Sequence, residues 1–228
     1  MILGLVPARG GSKGVPNKNI RLFHGRPLLA YVAQVAWASK TFDRVVLSTD
    51  SKAIAMCGRL YGLEVPFMRS AAVAQDDTPM FDVVVHALAE LQHKGWTPDI
   101  VVLLQPTSPL RQAKHIHDAI ALLQQSKADS VVSVVKIPQH LSPDYVMRMD
   151  KGRLQPFLAS GSRLIRRQDA RPAYARDGTV YALWVKTITL YGTLYGNDCR
   201  PLIIDASESL SIDTEADWAT AERLLKEV

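Results

Sequence analysis

Cysteine is scarce in this 228-residue chain: Cys57 and Cys199 stand alone, too few for a disulfide framework and without metal-ligand spacing. Both are expected to be ordinary packed thiols. Aromatic residues make up only 7% of the chain, and no aromatic ladder interleaves with its clustered cations as a single-strand binding platform requires. Zinc-finger, basic-zipper and RNA-binding signatures are absent too, which argues against nucleic acid as a partner. No apolar run approaches the roughly 18 residues of a membrane span. Nor does a basic start followed by a long apolar stretch mark a signal peptide. No membrane association is expected, and a cytoplasmic location is.

What is present suits a globular protein. Hydrophobic residues make up 47% and charged residues 21%, and the length fits one domain over residues 1–228. A net charge of +5 with a pI near 9.2 favours an anionic partner. The cations gather in two places: the opening loop, and a segment carrying Arg148, Lys151, Arg153, Arg163, Arg166, Arg167, Arg171 and Arg176.

Short apolar runs bounded by turn residues read as buried strands at Ile2 to Pro7, Arg44 to Thr49, Asp99 to Gln105 and Ser130 to Ile137. Helical patterns lie between them at Pro27 to Lys40, Ser51 to Tyr61, Pro79 to Lys94 and Gln112 to Ser126, two of which start on the proline favoured at a first helical position. This alternation predicts an α/β fold: a mostly parallel sheet flanked by helices, with ligands outside the carboxyl ends of the strands. Further strands are expected at Thr179 to Trp184 and Pro201 to Asp205, and a closing helix at Glu215 to Glu227. Between them the rhythm breaks from Pro138 to Ala175, and a stretch of that length is usually functional. It is expected to be an excursion that reaches a partner subunit.

The opening loop, VPARGGSKGVPNKN at residues 6–19, has three glycines, two prolines, the cations Arg9, Lys13 and Lys18, and no acid. It is not a P-loop, because Lys13-Gly14 runs in the reverse order with no hydroxyl following. The dinucleotide fingerprint fails as well, since Arg9 stands where glycine is required. The loop nonetheless brings flexible backbone and positive charge to the end of the first strand, an environment suited to a triphosphate. Asp50 reads as the cap of the helix after the second strand. Asp76-Asp77 diverge too much for a metal pair, and Asp77-Thr78-Pro79 reads as the start of the next helix. His115 and His117 point to different helix faces and share no metal.

With LLQPTSPLR at 103–111, STDS at 48–51, DGTVYA at 177–182 and SIDTEADW at 211–218, the opening loop resembles the cytidylyltransferases that activate acidic nine-carbon sugars. These are the CMP-N-acylneuraminate synthetases, relatives of the CMP-Kdo synthetases, and the resemblance runs from Leu3 to about Leu225. It implies a Rossmann-like nucleotidyltransferase fold and transfer of CMP from CTP to the sugar's anomeric hydroxyl, with pyrophosphate leaving. The same chemistry on legionaminate, pseudaminate or a Kdo-like sugar stays open, as does a nucleotide-binding homologue without turnover.

By this resemblance Arg9, Ser12, Lys13 and Lys18 fall on triphosphate-binding positions, with Arg9 and Lys18 meeting charge on the leaving pyrophosphate. Asn19 falls near the cytidine, and Arg69, expected at the end of a further strand between the helical patterns Ser51 to Tyr61 and Pro79 to Lys94, matches a nucleotide-contacting arginine. Gln105 and Thr107 match sugar-pocket positions; Arg167 aligns with an arginine for the sugar carboxylate, and Arg176 stands beside the position of a second. Magnesium is implied as cofactor and a homodimer as the assembly. Relatives carry two aspartates in the metal run; here it reads Ser209-Leu210-Ser211-Ile212-Asp213-Thr214, which leaves Asp213 as the metal ligand and Ser211 in place of the other.

Overall fold

The computed structural model describes residues 1–159, 166 and 170–225. Chain order begins with β1 (Ile2–Pro7), the small antiparallel pair β2 (Leu22–Phe23) and β3 (Arg26–Pro27), α1 (Leu28–Ala38) and β4 (Arg44–Ser48). It continues through α2 (Lys52–Leu60), α3 (Met80–His93), β5 (Ile100–Leu103), α4 (Ala113–Ser126) and β6 (Ser130–Lys136). An antiparallel hairpin of β7 (Met147–Asp150) and β8 (Arg153–Pro156) precedes β9 (Tyr174–Trp184), α5 (Val185–Tyr191), β10 (Cys199–Ile203) and α6 (Glu215–Leu224).

Six strands form the main sheet in the order β10-β6-β9-β5-β1-β4. β9 alone runs against its neighbours β5 and β6; β1 is parallel to β4 and β5, and β10 to β6. The runs VVL of β4, IVVL of β5 and SVVSV of β6 are buried along their length, as strands covered on both faces must be. One face packs on α1, α2 and α4 through Leu29, Val32, Ile54, Ile116 and Leu123. The other packs on α3 and α5 through Val84, Ala87, Leu91 and Ile188. With the parallel strands pointing one way, the loops that follow β1, β4 and β5 open on a common edge.

A third cluster matters most for that edge. Val15 of the opening loop and Ile212 pack with Phe23, Leu28, Trp218 and Ala221. Burying each large side chain contributes about 1.5–3 kcal/mol, so the loop and the segment before α6 share one hydrophobic floor. The Thr214 hydroxyl accepts from the Asp217 N–H at 3.2 Å, and the Asp217 carboxylate accepts from the Thr214 N–H at 2.8 Å. This reciprocal cap starts α6 immediately after Asp213.

Several expectations change in detail. Pro27 and Pro79 are helix caps, one residue ahead of the first turns. Ser51, not Asp50, caps α2, its hydroxyl accepting from the Ile54 N–H at 3.4 Å. No strand leads to Arg69; that stretch makes only an isolated bridge, Glu64 with Val46. The excursion at 138–175 holds the β7–β8 hairpin, and its end is already part of β9. α5, seven residues long, was not foreseen. The closing helix ends at Leu224, and residues 226–228 lie outside the described part. Cys57 is half-buried as expected, whereas Cys199 is exposed on the edge strand β10. Among the described residues no helix is long and apolar enough to cross a membrane.

Candidate functional site

At the carboxyl ends of β1 and β5 lies a cleft of about 370 Å³. The opening loop lines it with Arg9, Ser12, Lys13, Lys18 and Asn19, the stretch before α3 with Arg69 and Asp76, and the loop after β5 with Gln105 and Thr107. Asp213 closes it from the segment before α6. All the residues matched to nucleotide positions therefore face one space. A roomier hollow of about 690 Å³ surrounds Met1, Asp43, Asp99 and Trp184 at the opposite, amino-terminal end of the sheet, away from these side chains.

The opening loop is held from two sides. Its Gly10 N–H donates to Asp50 Oδ1 at 2.8 Å, which is what Asp50 does instead of capping α2. Gly11 adopts φ +64°, a left-handed conformation that glycine enters at no steric cost. Lys18 Nζ donates to the Ile212 carbonyl at 2.6 Å and reaches Asp213 Oδ1 at 3.2 Å, pinning the loop to the α6 approach.

Arg69 is buried, with Nε donating to Ser48 Oγ at 3.1 Å and Nη2 to the Ser48 carbonyl at 2.6 Å. Burial pushes its guanidinium down to about 10, against the pull of Asp50, so it remains a cation near neutral pH. Asn19 is equally buried, its amide donating to the Arg9 carbonyl at 3.0 Å. Opposite them, a group that sequence reasoning missed enters the cleft: the Asp76 carboxylate pairs with both Arg9 and Lys13. Lys13 first, then Arg9, hold its carboxyl below the usual range. Only proximity in the fold links Asp76 to the opening loop, and no local pattern signals it.

A second cleft of about 590 Å³ adjoins the first and shares Met80, Gln105 and Asp213 with it. Arg176, Gly178, Tyr181, Tyr195 and Ser211 are among its walls. The Arg176 guanidinium donates to the Tyr195 hydroxyl and lies 5.5 Å from that ring's centre, so Arg176 borders the cleft from a fixed position. Arg167 lies outside the described residues. Behind Gln105, buried Arg111 donates from Nε to the Thr179 carbonyl and from Nη2 to the Gln105 carbonyl, both at 2.6 Å. Burial pushes it down to about 9, offset by Asp177, and its Nη1 has no partner among the described residues. Arg111 thus braces the Gln105 loop on β9 and does not face the clefts.

The loop after β5 is also tied to the Asp213 segment. The Ile212 N–H donates to the Thr107 carbonyl at 2.9 Å. Glu208 accepts from Gln112 Nε2 at 3.2 Å and from Lys114, and its other oxygen lies 3.0 Å from His115 Nε2. The Gln112 N–H donates to His115 Nδ1 at 3.2 Å, which leaves Nε2 as the protonated nitrogen facing Glu208. Lys114 first, then His115, lower the Glu208 carboxyl below its ordinary range. His115 is thus a buried structural link, and His117 is exposed on α4.

Magnesium takes oxygen ligands and is commonly held by one or two carboxylates together with substrate phosphates and waters. Asp213 offers one such carboxylate at the junction of the clefts, its side chain 68% exposed. Ser211 Oγ donates to Asp213 Oδ2 at 3.0 Å. Among the described residues no group of three or more His, Cys, Asp or Glu gathers as a ready-made metal cage. This donor set suits an ion completed by phosphate oxygens and waters.

A mostly parallel α/β sheet with a cation-lined cleft at its carboxyl edge, and no P-loop or dinucleotide fingerprint, defines a nucleotidyltransferase-like class. Residues 3–175 match the cytidylyltransferase family model, and the chain belongs to that family. It is 36% identical over 228 residues to the CMP-N,N'-diacetyllegionaminic acid synthase of Legionella pneumophila, covering 99% of this chain and 96% of that one. It is also 31% identical over 225 residues to N-acylneuraminate cytidylyltransferase A of Danio rerio, covering 97% of this chain and 50% of that one. The chain therefore spans about half the length of the Danio rerio protein. Its fold is shared with CMP:2-keto-3-deoxy-manno-octonic acid synthetase in complex with CTP: TM-score 0.74 at 18% identity, covering 99% of this chain and 98% of that one.

Proposed function

We propose that this cytidylyltransferase moves CMP from CTP to the anomeric hydroxyl of a nine-carbon acidic sugar of the N-acylneuraminate type. The observation that carries the reading is the pair of adjoining clefts sharing Gln105 and Asp213, the first rich in cations and the second bordered by Arg176. In this reading the first takes CTP. Arg9, Lys13 and Lys18 meet the triphosphate, Ser12 adds a hydroxyl donor, and Asn19 and Arg69 stand on the nucleoside side. The sugar occupies the second, with Gln105 of the shared wall meeting hydroxyls, Thr107 reaching toward them from the wall of the first, and Arg176, aided by Arg167, meeting the carboxylate.

The anomeric hydroxyl gives its proton to water and its oxygen bonds to the α-phosphorus as the bond to pyrophosphate breaks. Negative charge builds on the leaving group, where Arg9 and Lys18 stabilise it more than in the ground state. Magnesium bound beside Asp213 would neutralise phosphate charge. The chain's own contribution is then to hold the two substrates in line and to set the Asp213 carboxylate between them.

Legionaminate is a second acceptor within this reading, favoured by the near full-length match to the Legionella pneumophila enzyme. The reading also includes a homodimer assembled through 138–175 and a cytoplasmic location. Support for the dimer comes from the apolar side chains that this segment leaves exposed, among them Leu141, Met149, Leu154 and Phe157.

Pyrophosphate release with CTP and a panel of acidic sugars tests the assignment. Turnover with N-acylneuraminate or legionaminate and a preference for CTP over UTP, ATP and GTP are expected. CTP binding without turnover on any sugar would replace the enzyme with a nucleotide-binding homologue. Light scattering checks the two-chain assembly.

A further inference from the structure

Three charged groups meet at the mouth of the nucleotide cleft, and their arrangement has the form of a ligand already seated. One oxygen of the Asp76 carboxylate contacts Arg9 and the other contacts Lys13. Both cations belong to the opening loop, whereas Asp76 arrives from the opposite wall, in the stretch between a short 3-10 turn at Ala71–Val73 and α3. Two oxygens on one carbon, each on its own cation, imitate two oxygens of a phosphate group.

We propose that Asp76 is a displaceable counter-anion for the seat of the pyrophosphate moiety: it holds Arg9 and Lys13 while the cleft is free of nucleotide, gives them up to CTP, and returns as pyrophosphate departs. The inference rests on the reading of Arg9 and Lys13 as triphosphate contacts. Three features support it. The side chains of Asp76, Arg9 and Lys13 are 37%, 30% and 80% exposed, so each ion pair is of the partly solvated kind that contributes little and breaks easily. A polyphosphate brings several charges and charge-assisted hydrogen bonds against the single charge of Asp76. The Asp76 side chain has no other partner among the described residues, so nothing anchors it once the cations turn to phosphate.

The consequence is selective. A carboxylate waiting beside the seat raises the effective competition against pyrophosphate, and so favours its release after transfer, while also weakening CTP. CMP has no phosphate beyond the one attached to its ribose and does not reach for that seat. Asp76 therefore sets how tightly the enzyme holds the leaving group without altering its grip on the nucleoside.

Calorimetric titration of pyrophosphate, CTP and CMP into wild type and variants, with magnesium and no sugar, tests this. Asp76→Asn is expected to bind pyrophosphate about three- to tenfold more tightly, the range expected from one or two exposed ion pairs. CTP should also gain, and CMP should stay within twofold. Asp77→Asn removes the same charge one residue away, where the side chain makes no ion pair among the described residues, and should change pyrophosphate binding by less than twofold. Equal gains in the two variants would reduce the effect to general electrostatics and overturn the proposal. Unchanged or weaker pyrophosphate binding in Asp76→Asn would overturn it too. Arg9→Ala separates this result from the underlying reading: if it leaves CTP affinity intact, the triphosphate assignment fails; if it weakens CTP while Asp76→Asn gains nothing, only the counter-anion role fails.

Discussion

Gly14 passes so close to Asp213 that a β-carbon on it would collide with the Asp213 carbonyl oxygen. The close approach brings the cation-bearing loop against the segment that carries the proposed metal ligand. Lys18 reinforces it through the Ile212 carbonyl. Gly14→Ala must therefore push the two walls apart. Displacements of about 1 Å can cost 10²-fold in rate, so kcat/KM should fall by about that factor while the core clusters beneath stay folded. Steady-state kinetics with circular dichroism check this; wild-type kinetics would show that the contact does not set the site.

Arg9 and Lys18 serve the cleft differently. Arg9 meets Asp76 across the mouth, while Lys18 is largely buried and already tied to Ile212 and Asp213. Each alanine substitution should lower kcat by about 10², the usual cost of removing one transition-state charge contact. Lys18→Ala should lose more than Arg9→Ala, because it also unties the Asp213 segment. Pre-steady-state measurement of pyrophosphate release compares them; the reverse order would assign Lys18 a purely structural part.

Buried parallel strands read as unbroken apolar runs, which is why β1, β4, β5 and β6 were legible in sequence to within a residue or two. Strand direction has no such signature. Nothing in Tyr174–Trp184 distinguishes the antiparallel β9 from its parallel neighbours. The β7–β8 hairpin was hidden for a different reason: MRMD and RLQP are exposed or half-exposed, with no buried face to impose alternation. For the site, the glycine-rich loop and the Gln105 stretch were legible because their residue types are unusual in combination. Asp76, Arg111 and Glu208 were not, since an ordinary acid or arginine acquires its role only from partners that folding brings across the chain.

Glu208 joins the start of α4 to the approach of Asp213, and its carboxyl is held below the ordinary range by Lys114 and then His115. A carboxyl lowered in the folded state contributes stability above the unfolded value of about 4.3, and that contribution is lost as the pH falls through the lowered folded value. Glu208→Gln should therefore melt at a lower temperature than wild type at pH 7. The gap should close as the pH is taken down through the carboxylate range. Thermal melts of both proteins from pH 7 to pH 3 provide the comparison; a gap that stays constant into acid would mean that shape, not charge, makes the link.

Ser211 donates its hydroxyl to Asp213 Oδ2 at 3.0 Å, so it braces the single carboxylate at the cleft junction and adds no charge there. Affinity for a hard cation grows with the number of charged ligands. In Ser211→Asp two carboxylates would stand side by side, repelling each other without metal and sharing it when bound. The variant should be less stable than wild type in chelator, and magnesium should raise its melting temperature more than it raises that of wild type. Its magnesium requirement for half-maximal activity should fall severalfold, and Asp213→Ala should abolish most turnover at any magnesium concentration. If the requirement is unchanged and magnesium stabilises both proteins equally, position 211 does not face the ion. If Asp213→Ala folds and stays active, Asp213 merely leads into the α6 cap and the ion is held by the phosphates alone.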